Sequence, residues 1–227
     1  MRSNGMTKRD QVAQQLRDLI ASGEIPRGSR VRQDELAERF DVSITPIREA
    51  IRLLHAEGIL VGEPRKGVRV AAASPDRLRS IYIVRRLLET HAMQRAARRM
   101  SAMDFRRAED LAARTEKAFK AGDHTLVGAL NRDFHFTFYD NCGLPGLVEE
   151  IETLWQNFPW DVMKVLSDRT PESLVEHRNL LKAAAAADDE AIHRHVGEHL
   201  WGSYRKLIEH LTGEEPGADP FDPDVPD

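Results

Sequence analysis

Val42-Ser43-Ile44-Thr45-Pro46-Ile47-Arg48-Glu49-Ala50-Ile51 follows Asp34-Glu35-Leu36-Ala37-Glu38-Arg39-Phe40 across a single residue, Asp41. Each part has the pattern of a short helix. In the first, Leu36, Ala37 and Phe40 share a face. In the second, Ile47, Ala50, Ile51 and Leu54 recur at the helical period, while Arg48, Arg52 and His55 line another face at i, i+4 and i+7. Ser43 or Thr45 can cap this second helix. Pro46 suits its first turn, where a backbone N–H has no acceptor inside the helix. Two helices joined by so tight a turn, the second polar at its start and carrying arginine outward, have the form that lays a recognition helix in the DNA major groove.

The flanking sequence completes that unit. A helix is predicted from about Lys8 to Ala21 on the spacing of Val12, Leu16, Leu19 and Ile20, with Ser22-Gly23 ending it. The two helices of the motif are predicted over about Gln33 to Phe40 and Thr45 to Glu57. Gly58 then ends the third helix, and Ile59-Leu60-Val61 and Val68-Arg69-Val70 read as strands around the turn Glu63-Pro64-Arg65-Lys66-Gly67. Three helices and a two-stranded hairpin make a winged helix-turn-helix, placed at residues 1–73.

Beyond the small-residue linker Ala71-Ala72-Ala73-Ser74-Pro75, the chain reads as helix almost throughout. Segments are predicted near 75–99, 101–121, 124–141, 145–166, 171–187 and 188–211, broken at Ser101, Gly122-Asp123, Gly143–Pro145, Arg169–Pro171 and Asp188-Asp189. Six antiparallel helices imply a bundle. The fold class is therefore mainly α: an N-terminal winged helix-turn-helix and, over residues 74–212, an all-helical bundle. Residues 213–227, acidic and proline-rich, are expected to be disordered.

Charge divides along the same line. Residues 1–73 hold thirteen Lys and Arg against ten Asp and Glu, net +3, whereas the remainder is net −7. A mildly basic head on an acidic body suits a protein whose head alone meets phosphate. With 31% charged and 6% aromatic residues, helices with amphipathic faces are favoured over a β-sandwich. The lone Cys142 excludes a disulfide within the chain and fits the cytoplasm. No apolar run approaches the roughly 20 residues that span a bilayer, and Met1 to Asp10 lack the apolar core of a signal peptide.

At this level of detail the chain resembles the GntR family of transcription regulators, in the FadR subfamily with an FCD ligand-sensing domain. The head motif from Leu36-Ala37 through Arg48-Glu49-Ala50 to Glu57-Gly58-Ile59-Leu60 and Gly67 carries the resemblance. In the body it is carried by Tyr82–Glu89, Asn131-Arg132-Asp133-Phe134-His135, Glu176-His177-Arg178 and Glu198-His199-Leu200. Six body helices are similar to the VanR-like branch. The resemblance implies a homodimer that binds a palindromic double-stranded DNA operator and represses until a small organic acid releases it. This chain departs from the family at Ile44 and Asp34, where basic residues are common.

Base reading then rests mainly on Arg48, whose guanidinium can pair with O6 and N7 of guanine, with Arg32 and Arg52 as helpers. Ser43 and Thr45 can hold phosphate at the helix N-terminus. Arg65 and Lys66 at the wing tip can reach the minor groove or the backbone, and Gly67 permits close approach.

In the body, Asn131 and His135 stand at i and i+4 on one helix face, and His177 and His199 lie on two later helices. By themselves, three separated histidines read as satisfied polar or surface residues. The family's blocks imply instead that Asn131, His135, His177 and His199 hold a divalent metal, Zn²⁺ or Ni²⁺ by the preference of imidazole. His195, His193 and His210 are read as facing solvent. Arg85 or Arg86 can grip the effector's carboxylate as a bidentate fork, or can pair with Glu89. Trp155, Phe158 and Trp160 are candidate pocket walls.

Two further classes stay open at this stage: a sensor for which the metal is itself the signal, and a metalloenzyme fused to a DNA-binding head. The enzyme is disfavoured, because no HExxH pair, nucleophile elbow or phosphate loop accompanies the histidines.

Overall fold

The computed structural model describes residues 6–63, 67–72, 74–158 and 169–222. They fall into two compact units, one holding the residues up to Ser74 together with 156–158, and one holding Pro75–Trp155 and the residues from Arg169 onward.

The first unit contains α1 (Lys8–Ala21), β1 (Arg30–Val31), α2 (Gln33–Arg39), α3 (Ile44–Ala56), β2 (Leu60–Glu63) and β3 (Gly67–Val70). Its core is the apolar stripe of each helix: Val12, Leu16 and Ile20 from α1, Leu36 from α2, and Ile47, Ile51 and Leu54 from α3. Leu60 and Val70 close it from the strands. The turn between α2 and α3 works because Asp41 adopts φ 51°, a left-handed conformation that Asp tolerates better than most side chains. The amide of Val42 then reaches back to the carbonyl of Ala37 at 3.1 Å.

The wing is wider than expected. Arg30–Val31 pairs antiparallel with β3, giving a three-stranded sheet in the order β1-β3-β2. A two-residue strand is too short to show alternation, so this pairing is a tertiary outcome. Of the expected wing turn, Arg65 and Lys66 lie outside the described residues.

The second unit contains α4 (Pro75–Ala97), α5 (Ala102–Lys120), α6 (His124–Tyr139), α7 (Pro145–Asn157), α8 (Thr170–Ala185) and α9 (Asp189–Thr212). Their starts follow local chemistry. Ser101 and Asp104 form a reciprocal capping box on α5, Asp123 accepts from the amide of Leu126, and Asp188 accepts from that of Ala191. Helix α7 ends at Asn157, and most of the expected continuation to 166, with Trp160, lies outside the described residues. Helices α6, α8 and α9 each turn a buried stripe inward, and one histidine falls on each stripe.

Residues 213–222 correct the expectation of a tail without structure. Asp219 lies 2.7 Å from Arg86 and Phe221 stacks against the same guanidinium. The acidic, proline-rich composition hides this, because one ion pair and one ring suffice to seat a short segment.

Candidate DNA-reading face and buried histidine cluster

Helix α3 buries Ile47, Ala50, Ile51 and Leu54 and exposes Ser43, Thr45, Arg48 and Arg52. Ser43 occupies the N-cap position, yet its hydroxyl makes no cap bond to α3, so the expected side-chain cap is not made there. Arg48 is exposed, and its Nε donates to Oε1 of Gln33 at 3.1 Å, which fixes the side chain across the start of α2. Arg32 is less available than the sequence implied: it pairs with Asp34 at 3.2 Å and Glu35 at 3.1 Å. Those pairs are more than half exposed, so each holds the arginine weakly. Ile44 is the half-buried first residue of α3.

The sequence reading missed Arg30. It is exposed on β1, and its guanidinium lies 3.6 Å from where a side chain on Gly67 would begin. Gly67 has φ 87°, a conformation that a residue with Cβ adopts only under strain. Its glycine therefore serves the turn as well as any close approach to DNA.

In the second unit, His135 on α6, His177 on α8 and His199 on α9 come together, each 1–7% exposed. Their ring centroids stand 4.9 Å apart in every pairing. One nitrogen from each lies within 4.8 Å of the others, and the two Nε2 atoms of His135 and His177 are 3.2 Å apart. Tetrahedral ligands with zinc–nitrogen bonds of about 2.0–2.1 Å have their nitrogens about 3.3 Å apart. The His135–His177 pair stands at about that separation, and the His199 nitrogen lies within 4.8 Å of both.

The protonation states agree. Burial pushes the pKa values of His135 and His177 well below the usual imidazole value, and neighbouring positive charge adds to this. Neutral imidazole is the ligating form.

The surroundings orient two of the rings. Glu176 takes Nδ1 of His199 at 2.8 Å, leaving Nε2 to face the cluster, and is itself held by Arg169. Burial works to raise the Glu176 carboxyl, but the bond to His199 and the charges of His199 and Arg169 outweigh it and hold it low. Nδ1 of His135 lies 3.4 Å from the Tyr139 hydroxyl, which donates to Glu89 at 2.7 Å. Metal-bound histidines usually have such carboxylate or hydroxyl partners at the second nitrogen. His177 differs: its Nδ1 is buried without a hydrogen-bond partner among the described residues, while its ring stacks on Phe134 at 4.3 Å. An ion or a water is what a polar site of this kind accommodates. Asn131, half-buried one turn before His135 on α6, sits on the side toward which helical side chains lean.

The two arginines of α4 part company. Arg85 is 5% exposed, and its Nε donates to Glu89 at 2.6 Å. Glu89, 1% exposed, also accepts from Trp155 Nε1 at 2.9 Å. Trp155 in turn packs 5.4 Å from His135, so Arg85 belongs to the neighbourhood of the histidines. Arg86 points elsewhere, to Asp219. His195 pairs with Glu198 at 2.8 Å away from the cluster, and His193 and His210 are exposed.

Comparison with known proteins gives the class. Family models match at residues 8–70, bacterial regulatory proteins of the gntR family, and at residues 80–201, the FCD domain. The chain belongs to the GntR family of regulators, with an FCD domain following its helix-turn-helix. It is a DNA-binding transcription regulator and not an enzyme.

Among relatives, the HTH-type transcriptional regulator YdhC of Bacillus subtilis is 29% identical over 195 residues, covering 84% of this chain and 86% of YdhC. The probable D-xylose utilization operon transcriptional repressor of Paenarthrobacter nicotinovorans is 29% identical over 217 residues, covering 90% of this chain and 92% of the relative. The solved structure of McbR/YncC from Escherichia coli superposes with a TM-score of 0.80 at 24% identity, covering 92% of this chain and all of that one, a likeness of fold. Among the described residues no helix is long and apolar enough to cross a membrane.

Proposed function

We propose that the chain is a cytoplasmic, metabolite-responsive repressor. A head, residues 1–73, binds each half of a palindromic operator, and a body, residues 74–212, senses the signal and forms the homodimer. A single head reads too few bases to bind well, whereas two related by a dyad add their contacts. A divalent ion, zinc or nickel, is held by His135, His177 and His199, with Asn131 beside them, and leaves positions open to a carboxylate. When bound, the ion supplies a positive charge that polarises and anchors that carboxylate. Arg85, already held in place by Glu89, offers a second grip. The effector shifts the protein only by its differential affinity for two arrangements of the body.

The observation that carries this reading is the convergence of three buried histidines from three helices. The name of the Paenarthrobacter relative supports the repressor sense. The test is to titrate Zn²⁺ or Ni²⁺ into chelator-treated protein while following binding to an operator selected from random DNA, then to add small carboxylic acids. Metal should raise thermal stability with little release of DNA, and one class of acid should release it. Steep release by metal alone would make the ion the signal. No stabilisation by either ion would overturn the metal reading.

For the head, Ser43, Thr45, Arg48 and Arg52 on α3 contact the operator, with Arg32 and the wing residues Arg65, Lys66 and Gly67 on the flanks. Arg48→Ala should cost ~1–3 kcal/mol of specific binding, about 5- to 150-fold, and relax specificity at one base pair. Arg65→Ala should instead weaken all sequences alike and lower the salt slope by about 1. Gel shifts on the selected operator and on a scrambled duplex separate the two. An unchanged operator affinity for Arg48→Ala would remove it from base reading.

A further inference from the structure

Arg86 is the arginine of α4 that the histidine cluster does not use. Its guanidinium crosses Gly197 on α9 so closely that a side chain there would begin 2.5 Å from it. Its side chain is 13% exposed, and its Nε is buried without a hydrogen-bond partner among the described residues. One Nη1 donates to Oδ2 of Asp219 at 2.7 Å. The Tyr82 hydroxyl donates to the other carboxylate oxygen at 3.2 Å. The same oxygen accepts from the Phe221 amide at 2.9 Å, which turns the chain so that the Phe221 ring lies 4.1 Å over the guanidinium. A cation over an aromatic face and a carboxylate at its edge satisfy one arginine from two sides.

The chain length fits this seat. Phe221 comes to rest 6.4 Å from His193, near the start of α9. From His193 to Thr212 the helix rises about 28 Å at 1.5 Å per residue. The eight steps from Gly213 to Phe221 reach about 27 Å at roughly 3.4 Å each. The segment runs back along α9 with bends at residues 213, 214, 217 and 218, and it ends in a turn closed by the Asp222 amide on the Asp219 carbonyl at 3.0 Å.

We propose that residues 213–222 are a built-in latch: the Asp219 carboxylate and the Phe221 ring bind Arg86, tying α9 to α4. This device does not depend on the metal or effector reading. It ties the helix that bears His199 to the helix that follows the linker, and it gives Arg86 a carboxylate from its own chain. Among the described residues Asp219 is the acid paired with Arg86, so losing it leaves the guanidinium with no carboxylate there.

The test uses the full chain and chymotrypsin, which cuts after Phe221 only when the segment lifts. With opening faster than cleavage, the cutting rate reports the open population. Asp219→Asn should speed cleavage at Phe221 about 5- to 30-fold, the range expected when one or two such contacts are lost. Glu215→Gln, which removes a like charge from an exposed tail position, should leave the rate unchanged. Cleavage of the unaltered protein as fast as of a free peptide spanning 214–227 would overturn the latch. So would equal rates for Asp219→Asn and the unaltered chain.

Discussion

Glu89→Ala should cost about 3–5 kcal/mol, a large part of the 5–15 kcal/mol that holds a folded domain. The magnitude follows from burial. Arg85 and Glu89 form an ion pair with side chains 6% and 2% exposed, so neither charge has water to fall back on. Glu89 also accepts from Tyr139 and Trp155, and its removal strands both donors. At about 2–4 °C per kcal/mol for a chain of this size, the melting temperature should fall by roughly 6–20 °C. The double variant Arg85→Met, Glu89→Leu should recover the part of that loss due to the unpaired Arg85 charge, although Tyr139 and Trp155 still lack their acceptor. Stability would then come back in part without the proposed effector response, since Arg85 is the proposed grip on the carboxylate. A loss below 1 kcal/mol for Glu89→Ala would mean that water reaches the pair.

His177→Ala should abolish stabilisation by zinc or nickel. With metal at about a thousand times its dissociation constant, binding stabilises a folded state by ~4 kcal/mol, so chelator-treated protein should gain roughly 8–16 °C on metal addition. Removing one of three proposed ligands, whose nitrogens lie within 4.8 Å of one another, should remove that gain. Glu176→Gln should act more mildly, lowering metal affinity about 10- to 100-fold, because it disturbs the orientation and basicity of His199 without removing one of the three histidines. Calorimetric titration of each variant separates the two effects. Equal metal-induced shifts in His177→Ala and the unaltered protein would show the cluster to be a hydrogen-bonded polar core, and the proposed sensor would lose its centre.

The cluster was legible in the sequence through the family resemblance, and the structure adds the register. His135, His177 and His199 each fall where an apolar residue would complete a helical stripe, whereas His193 and His210 fall on exposed faces. Nothing in the spacing shows that three stripes converge; the family resemblance carried that inference. Glu176 was visible only as part of a motif, and its grip on His199 depends on α8 and α9 lying side by side. The choice between Arg85 and Arg86 was equally closed to inspection of the chain. Adjacent residues on a helix point about 100° apart, so one faces the core and its neighbour the groove toward α9.

What the sequence by itself determined is therefore the local and periodic part: the helix breaks, the turn at Asp41, the stripes of α1 to α3, and the membership of the head motif in a DNA-binding class. These depend on residues a few positions apart, and the physics of helix formation acts at that range. Tertiary structure alone decided the third strand at Arg30–Val31, the burial of the Arg85–Glu89 pair, the partnership of Glu176 with His199, and the return of Asp219 and Phe221 to Arg86. Each joins segments whose contact is worth little until the rest of the fold has brought them together. The ordering cost of the chain between them is met by the packing of the whole unit, which no short window of sequence contains.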